Sequence, residues 1–278
     1  MTETLTPDRR AEGRATPERR KHPRDVFVEF REVFKSYGPK EILRGANLKV
    51  YRGEVLVILG GSGVGKSVTL RHMLGLEAPD DGRVIIEEED ITDLPEEELY
   101  RVRKKFGMLF QSGALFDSMT VFDNVAFPLR EHTDMTDEEI TRAVSDRLEL
   151  VNLPGVEHLM PVDLSGGMRK RVGLARSTVL DPKMILYDEP TTGLDPITAQ
   201  KINELILALQ SKLNVTSVVA THDIQSAFSV GDRIAFLNKG VFEWVGPIEE
   251  ARDTDHPILR EFLRSSAVVA AQPTKSQD

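Results

Sequence analysis

Val55-Leu56-Val57-Ile58-Leu59-Gly60-Gly61-Ser62-Gly63-Val64-Gly65-Lys66-Ser67-Val68 is the stretch on which the reading of the whole chain turns. Its first five residues form a short apolar run of the kind found in a strand buried on both faces. Directly behind it stands Gly-x4-Gly-Lys-Ser over Gly60–Ser67, and a helical pattern runs from Val68 to Leu76. Glycines let backbone N–H groups converge on one point, and a helix N-terminus adds partial positive charge there, so the loop suits a polyphosphate. In such a loop Lys66 reaches the outer phosphates and the Ser67 hydroxyl faces a divalent cation. The expected cradle is Gly60, Gly61, Ser62, Gly63, Val64, Gly65, Lys66, Ser67 and Val68, with ATP and Mg²⁺ as its ligands.

Outward from this loop the pattern is α/β. Val26, Val28 and Phe30 alternate with polar residues, and Ala46–Val50, Val84–Ile86 and Phe106–Phe110 also read as strands. Thr136-Asp137-Glu138-Glu139 is a capping-box-like start for a helix over Ile140–Val151, and another helix fits Gly166–Leu180. Short apolar strands resume at Met184–Tyr187, Thr216–Ala220 and Arg233–Leu237, with helical spacing over Ala199–Leu213 between them. The expected architecture is a strand core interrupted over about 112–180 by a helical insert.

Composition narrows the function classes. The chain has 278 residues, 40% hydrophobic and 29% charged, and no cysteine, so disulfides and thiolate chemistry are excluded. No apolar run approaches the ~20 residues of a membrane helix. Arginines near the start have no apolar stretch behind them and do not read as a secretory signal. Residues 1–24 carry a net +3 of the chain's −9, leaving an acidic body that argues against a nucleic-acid partner. Residues 1–25 are expected to be a disordered basic tail.

Two further motifs carry chemistry. Met184-Ile185-Leu186-Tyr187 leads into Asp188-Glu189, a buried strand expected to lie beside the loop strand and to bring Asp188 to the metal. Glu189 is then placed to polarise an attacking water as general base. Leu164-Ser165-Gly166-Gly167-Met168 opens a helix within the insert; Ser165, Gly166 and Gly167 offer backbone N–H groups and a hydroxyl, a second phosphate site. One nucleotide cannot use two loops carried on separate parts of one chain. A head-to-tail pair of copies solves this, each ATP lying between one loop and the partner copy's Ser-Gly-Gly.

Together these motifs make the chain resemble the nucleotide-binding subunits of ABC transporters over about residues 26–248. That resemblance implies a P-loop NTPase core with an inserted helical subdomain, and supplies roles for matching positions. Tyr37 resembles the aromatic that stacks on adenine, and Gln111 the glutamine that senses Mg²⁺ and couples to a membrane partner. Asp195 resembles the aspartate that communicates across the dimer, and His222 the histidine that contacts the γ-phosphate beside Lys66 and Glu189. Met168 departs from the usual glutamine, and Glu88 stands where a hairpin glycine is common.

Met168, Gln111–His132, Leu159-Met160-Pro161 and Asp195-Pro196-Ile197 are similar to the MlaF-type ATPases of Mla/Mce lipid-transport systems. The resemblance implies phospholipid or other hydrophobic cargo, an integral-membrane permease of MlaE type, an Mce-domain lipid-binding protein and a small STAS-domain regulator. It also implies a peripheral place on the cytoplasmic face of the inner membrane. Leu115, Phe116 and Met119 are candidates to line a docking groove, with internal packing as the alternative for about half of such side chains. Residues 249–278 read as a short helix over Ile258–Leu263 and a polar tail. An ABC ATPase for another cargo, or one outside transport, remains the alternative.

Overall fold

The computed structural model describes residues 25–270; residues 1–24 of the expected tail, and the last residues of the polar tail, lie outside the described residues. The described residues open with a long antiparallel pair, β1 (Val26–Tyr37) and β2 (Lys40–Tyr51), then the apolar strand β3 (Val55–Leu59) and helix α1 (Lys66–Met73). β4 (Asp81–Ile86), β5 (Glu89–Asp90), the charged helix α2 (Glu96–Arg103) and β6 (Phe106–Leu109) follow. Next come α3 (Val121–His132), α4 (Asp137–Leu150), a 3₁₀ turn over Pro161–Asp163 and α5 (Gly166–Thr178). The chain then alternates through β7 (Met184–Asp188), α6 (Pro196–Leu213), β8 (Thr216–Thr221), α7 (Ile224–Val230) and β9 (Arg233–Asn238). It ends with β10 (Val241–Pro247), α8 (Ile248–Arg252) and α9 (Pro257–Ala270).

Two sheets result, an antiparallel one in the order β2-β1-β4-β5 and a six-stranded one in the order β10-β9-β3-β8-β7-β6. Within the second, β9, β3, β8, β7 and β6 pair in parallel and only β10 runs antiparallel. This corrects one expectation. The Asp188 strand does not lie beside the loop strand, because β8 is inserted between them.

The alternation of side chains explains why β3 is apolar throughout. Val55, Val57 and Leu59 join a core shared with α3–α7, whereas Leu56 and Ile58 join a second core shared with β1, β2, β4 and α1. β7 divides likewise, Ile185 and Tyr187 to one side and Met184 and Leu186 to the other. A strand covered on both faces has no room for polar positions.

Local chemistry sets the helix starts. Thr136 and Glu139 form the expected capping box of α4. Thr120 accepts from Asp123 N at 3.1 Å to start α3, and Asp195 accepts from Ile197 N and Thr198 N ahead of Pro196 to start α6. The β4–β5 turn places Glu87 at φ 50° and Glu88 at φ 69°, left-handed values that account for glycine being the usual residue at such a hairpin. Glu87 also accepts from Arg52, Lys105 and Lys183, tying this turn to the starts of β6 and β7.

Candidate nucleotide site

At the end of β3 the backbone takes a path few residues allow. Gly63 and Gly65 have φ of 75° and 113°, and a Cβ on Gly60 would lie 2.4 Å from the Leu237 carbonyl oxygen. The loop leads into α1, whose first residue, Lys66, is buried. Its ammonium donates to the carbonyls of Gly60 at 2.9 Å and Gly61 at 2.8 Å, and lies 3.1 Å from Glu189 Oε1.

Although β8 separates the two strands, Ser67 Oγ donates to Asp188 Oδ1 at 2.9 Å. Register explains this: Leu59 pairs with Thr221 and Asp188 with Ala220, so the ends of β3, β8 and β7 stand at nearly one level. α1 needs only to pass over the end of β8. Burial raises the Asp188 carboxyl above its ordinary value, and the Ser67 hydrogen bond opposes that rise.

Glu189 is the first residue past β7 and has φ 49°. Its N–H donates to Ala220 O at 2.9 Å. Its Oε2 accepts from Thr192 Oγ1 at 3.0 Å and lies 2.9 Å from His222 Nδ1, on the turn after β8. Burial raises its pKa, but the His222 hydrogen bond and the Lys66 charge outweigh burial and hold it below the ordinary value. Glu189 is therefore a carboxylate at neutral pH.

Lys66, Ser67, Asp188, Glu189 and His222 thus meet at one edge of the parallel sheet, as expected for ligands at strand C-termini in α/β folds. The remaining candidates stand apart from that array. Tyr37, at the end of β1, is 43% exposed and donates its hydroxyl to Glu77. Gln111 lies exposed two residues beyond β6. Ser165 and Gly166 are exposed at the start of α5, the Ser165 hydroxyl accepting from Met168 N at 3.3 Å. Among the described residues no hydrogen bond or ion pair joins Ser165–Gly167 to the Gly60–Ser67 loop. Asp195 is exposed and caps α6.

The donor set fits a nucleotide and Mg²⁺. A hydroxyl and a carboxylate oxygen lie together at the loop, and among the described residues no three His, Cys, Asp or Glu converge as a protein-only metal cage. Mg²⁺ binds in this way, through one or two protein oxygens plus phosphate oxygens and water.

Three supporting residues escaped the sequence reading. Thr192 orients Glu189. Lys170, buried on α5, reaches carbonyls of the turn after β7. Buried Asn124 donates to the carbonyls of Phe116, Met119 and Thr120 and accepts from Phe116 N, fixing the loop before α3. A charged or amide residue on an otherwise apolar helix face was the available signal for the last two. On that loop Leu115 packs against the core, while Phe116 stays 43% exposed against Phe127, at 5.2 Å between ring centroids.

Residues 43–192 match the family model described as ABC transporter. The chain belongs to the ABC transporter family. It is an ATP-binding and ATP-hydrolysing subunit of that class. MlaF of Escherichia coli K12, named as an intermembrane phospholipid transport system ATP-binding protein, is 42% identical over 237 residues, 85% of this chain and 88% of the relative. Mkl of Mycobacterium tuberculosis H37Rv, named as a probable ribonucleotide transport ATP-binding protein, is 43% identical over 246 residues, 88% of this chain and 68% of the relative. Among solved structures, the dimeric post-hydrolysis state of the ATP-binding cassette MJ0796 with ADP and Pi matches with TM-score 0.74 and 34% identity. That match covers 80% of this chain and 98% of the other. CbiO1 of Clostridium perfringens, part of the cbiONQ transporter complex, matches at TM-score 0.77 and 30% identity over 88% and 97%.

Proposed function

We propose that this ABC ATPase powers phospholipid transport, with the Gly60–Ser67 loop holding the phosphates of ATP and Glu189 polarising the attacking water. The observation carrying the chemical half is the Ser67–Asp188 hydrogen bond, which assembles a two-oxygen Mg²⁺ seat beside the buried Lys66 ammonium. When bound, Mg²⁺ would neutralise charge developing on the phosphate oxygens. Lys66 would hold those oxygens, and Glu189, a carboxylate at neutral pH, would accept a proton from water with His222 against its other oxygen.

The second half of the site is Ser165–Gly167 of a second copy, with Asp195 at the join and Tyr37 against the base. Exposure of Ser165 and Gly166, away from the loop of their own chain, supports this reading, as does the dimeric state of the similar cassette MJ0796. An integral-membrane permease of MlaE type is the proposed partner, docking on the Gln111–Thr120 loop where Phe116 is presented on a backbone clamped by Asn124. A membrane-anchored Mce-domain lipid-binding protein and a small STAS-domain regulator complete the assembly, with this chain peripheral on the cytoplasmic face of the inner membrane. No helix among the described residues is long and apolar enough to cross a membrane.

The relatives' names differ on cargo, which makes ribonucleotide transport the second reading. The deciding experiment is to purify the tagged chain from its own membranes in mild detergent and identify the permease and bound molecules. Co-purified phospholipid that stimulates ATP turnover on reconstitution supports the proposal. Stimulation by ribonucleotides and not by lipid would sink it.

A further inference from the structure

Lys170 is a buried cation that the chemistry described so far does not use. It sits one turn into α5, 4% exposed, and its Nζ donates to the carbonyls of Pro190 at 2.6 Å, Thr192 at 2.8 Å and Glu189 at 3.3 Å. Among the described residues it has no carboxylate within ion-pair distance. A buried ammonium costs free energy unless every N–H is matched, and here three donors meet three carbonyl oxygens. Such a ring of carbonyls forms only where a backbone turn folds its oxygens inward.

That turn carries the general base. Glu189 has φ 49°, a left-handed conformation that a side-chain-bearing residue keeps only when its surroundings hold it there. Its N–H is held by Ala220 O and its carboxylate by Thr192, His222 and Lys66. Its carbonyl and those of Pro190 and Thr192 are held by Lys170. Burial draws the Lys170 pKa down to about 8, the Glu189 charge opposing, so the carbonyl ring retains the proton-bearing form at neutral pH.

The same helix is seated on this segment a second time. A Cβ on Gly167 would lie 2.6 Å from Thr198 Cγ2, so the first turn of α5 packs directly on the first turn of α6. Helix α5 therefore grips the Glu189–Thr198 segment at both ends, through Lys170 and through Gly167, while its N-terminus carries Ser165 and Gly166.

We propose that Lys170 is a positioning residue for hydrolysis, fixing the Glu189–Thr192 turn so that the base is aimed by the helix that bears the Ser-Gly-Gly turn. This rests on the reading of Glu189 as the base. A shift of α5, the element offered to the partner's nucleotide, moves the carbonyl ring and therefore Glu189 in its own chain.

The test uses the full-length chain with Lys170→Met, Lys170→Gln and Glu189→Gln, alone and combined, in single-turnover ATP hydrolysis, with nucleotide affinity from a fluorescent ATP analogue. Lys170→Met is expected to lower the turnover rate about 10-fold or more, with KM and nucleotide Kd changed less than about 2-fold. Lys170→Gln, which keeps an N–H₂ for two of the carbonyls, recovers part of the rate. Combined with Glu189→Gln, Lys170→Met adds no further loss, as two residues acting through one step are non-additive. Unchanged turnover in Lys170→Met, a KM or Kd rise that matches the loss, or full additivity with Glu189→Gln would each overturn the proposal. If Lys170→Met does not fold, Lys170→Gln decides by the same split between rate and KM. Full turnover by Glu189→Gln alone marks failure of the base assignment. Full turnover by Lys170→Met where Glu189→Gln is inactive marks failure of this proposal only.

Discussion

Glu87→Gln tests how the antiparallel sheet is strapped to the sheet that carries the site. Glu87 Oε1 accepts from Arg52 at 2.7 Å and Lys183 at 2.9 Å, and its Oε2 from Lys105 at 2.7 Å, so one carboxylate joins the turn after β2 to the starts of β6 and β7. Burial raises its pKa, but the hydrogen bonds from Lys105, Arg52 and Lys183 outweigh burial and bring it from 4.5 down to about 2. That gap corresponds to ~3 kcal/mol of pH-dependent stability before screening. Glu87 itself is 16% exposed, but the Arg52 and Lys183 side chains are 37% and 56% exposed. Solvent screening at those two ends reduces the figure to ~1–2 kcal/mol. A carboxylate whose folded pKa is depressed contributes its full stability above about pH 4.5 and loses it as pH falls toward about 2. The comparison is thermal unfolding of wild type and Glu87→Gln at a series of pH values. At pH 7 the variant should melt roughly 3–6 °C lower for a chain of this size. The gap should narrow below about pH 4.5, fall to roughly half by about pH 3 and close only as pH drops below about 2. An equal gap at pH 7 and pH 3, or none at pH 7, would refute the ion-network argument.

Glu189→Gln should keep ATP binding within about 2-fold and lower turnover by about 10²–10⁴, measured by phosphate release; undiminished turnover would remove Glu189 as the base. Gly167→Ala drives a methyl to 2.6 Å from Thr198 Cγ2 and should cost ~1–3 kcal/mol in denaturant unfolding, relieved by Thr198→Ser, which lacks that methyl. Asn124→Ala leaves Phe116 N–H and the Met119 carbonyl without their partner, while the Phe116 and Thr120 carbonyls keep backbone donors, at ~1–3 kcal/mol and with weaker permease capture in a pull-down. Turnover per chain should rise with protein concentration, and full activity in a dilute monomer would contradict a site shared between two copies.

Strands buried on both faces were legible, because their apolar runs end where the strands end. β3 has the expected bounds, and β7, β8 and β9 extend one residue beyond theirs. Strands with one face in water were less so. β1 continues to Tyr37 and β2 starts at Lys40, through Glu32, Lys35, Glu41 and Arg44, where register shifts break the apolar alternation. Helix α3 was overlooked although Val121, Val125 and Leu129 bury at helical spacing, since Pro128 inside it reads as a breaker. Helix α2 buries only Val102 and offers no stripe to detect. The candidate site residues could be picked out because phosphate and metal chemistry demands particular residue types at fixed spacings. The strand order was not, because nothing in an apolar strand's composition names its neighbours. Lys170 was lost for a different reason: its partners are backbone oxygens, which every residue possesses.

Interposing β8 between β3 and β7 gives the sheet the role of a gauge. Adjacent strands are spaced by ~4.8 Å, so the ends of β3 and β7 stand ~10 Å apart whatever side chains they bear. The loop lysine hangs from one mark, His222 from the middle one, and Asp188 with Glu189 from the third. Backbone hydrogen bonds, repeated identically along each strand, thus set the span that the Ser67–Asp188 and Lys66–Glu189 contacts bridge. Substitution can retune the groups along that span, but it cannot change the span without rebuilding the sheet.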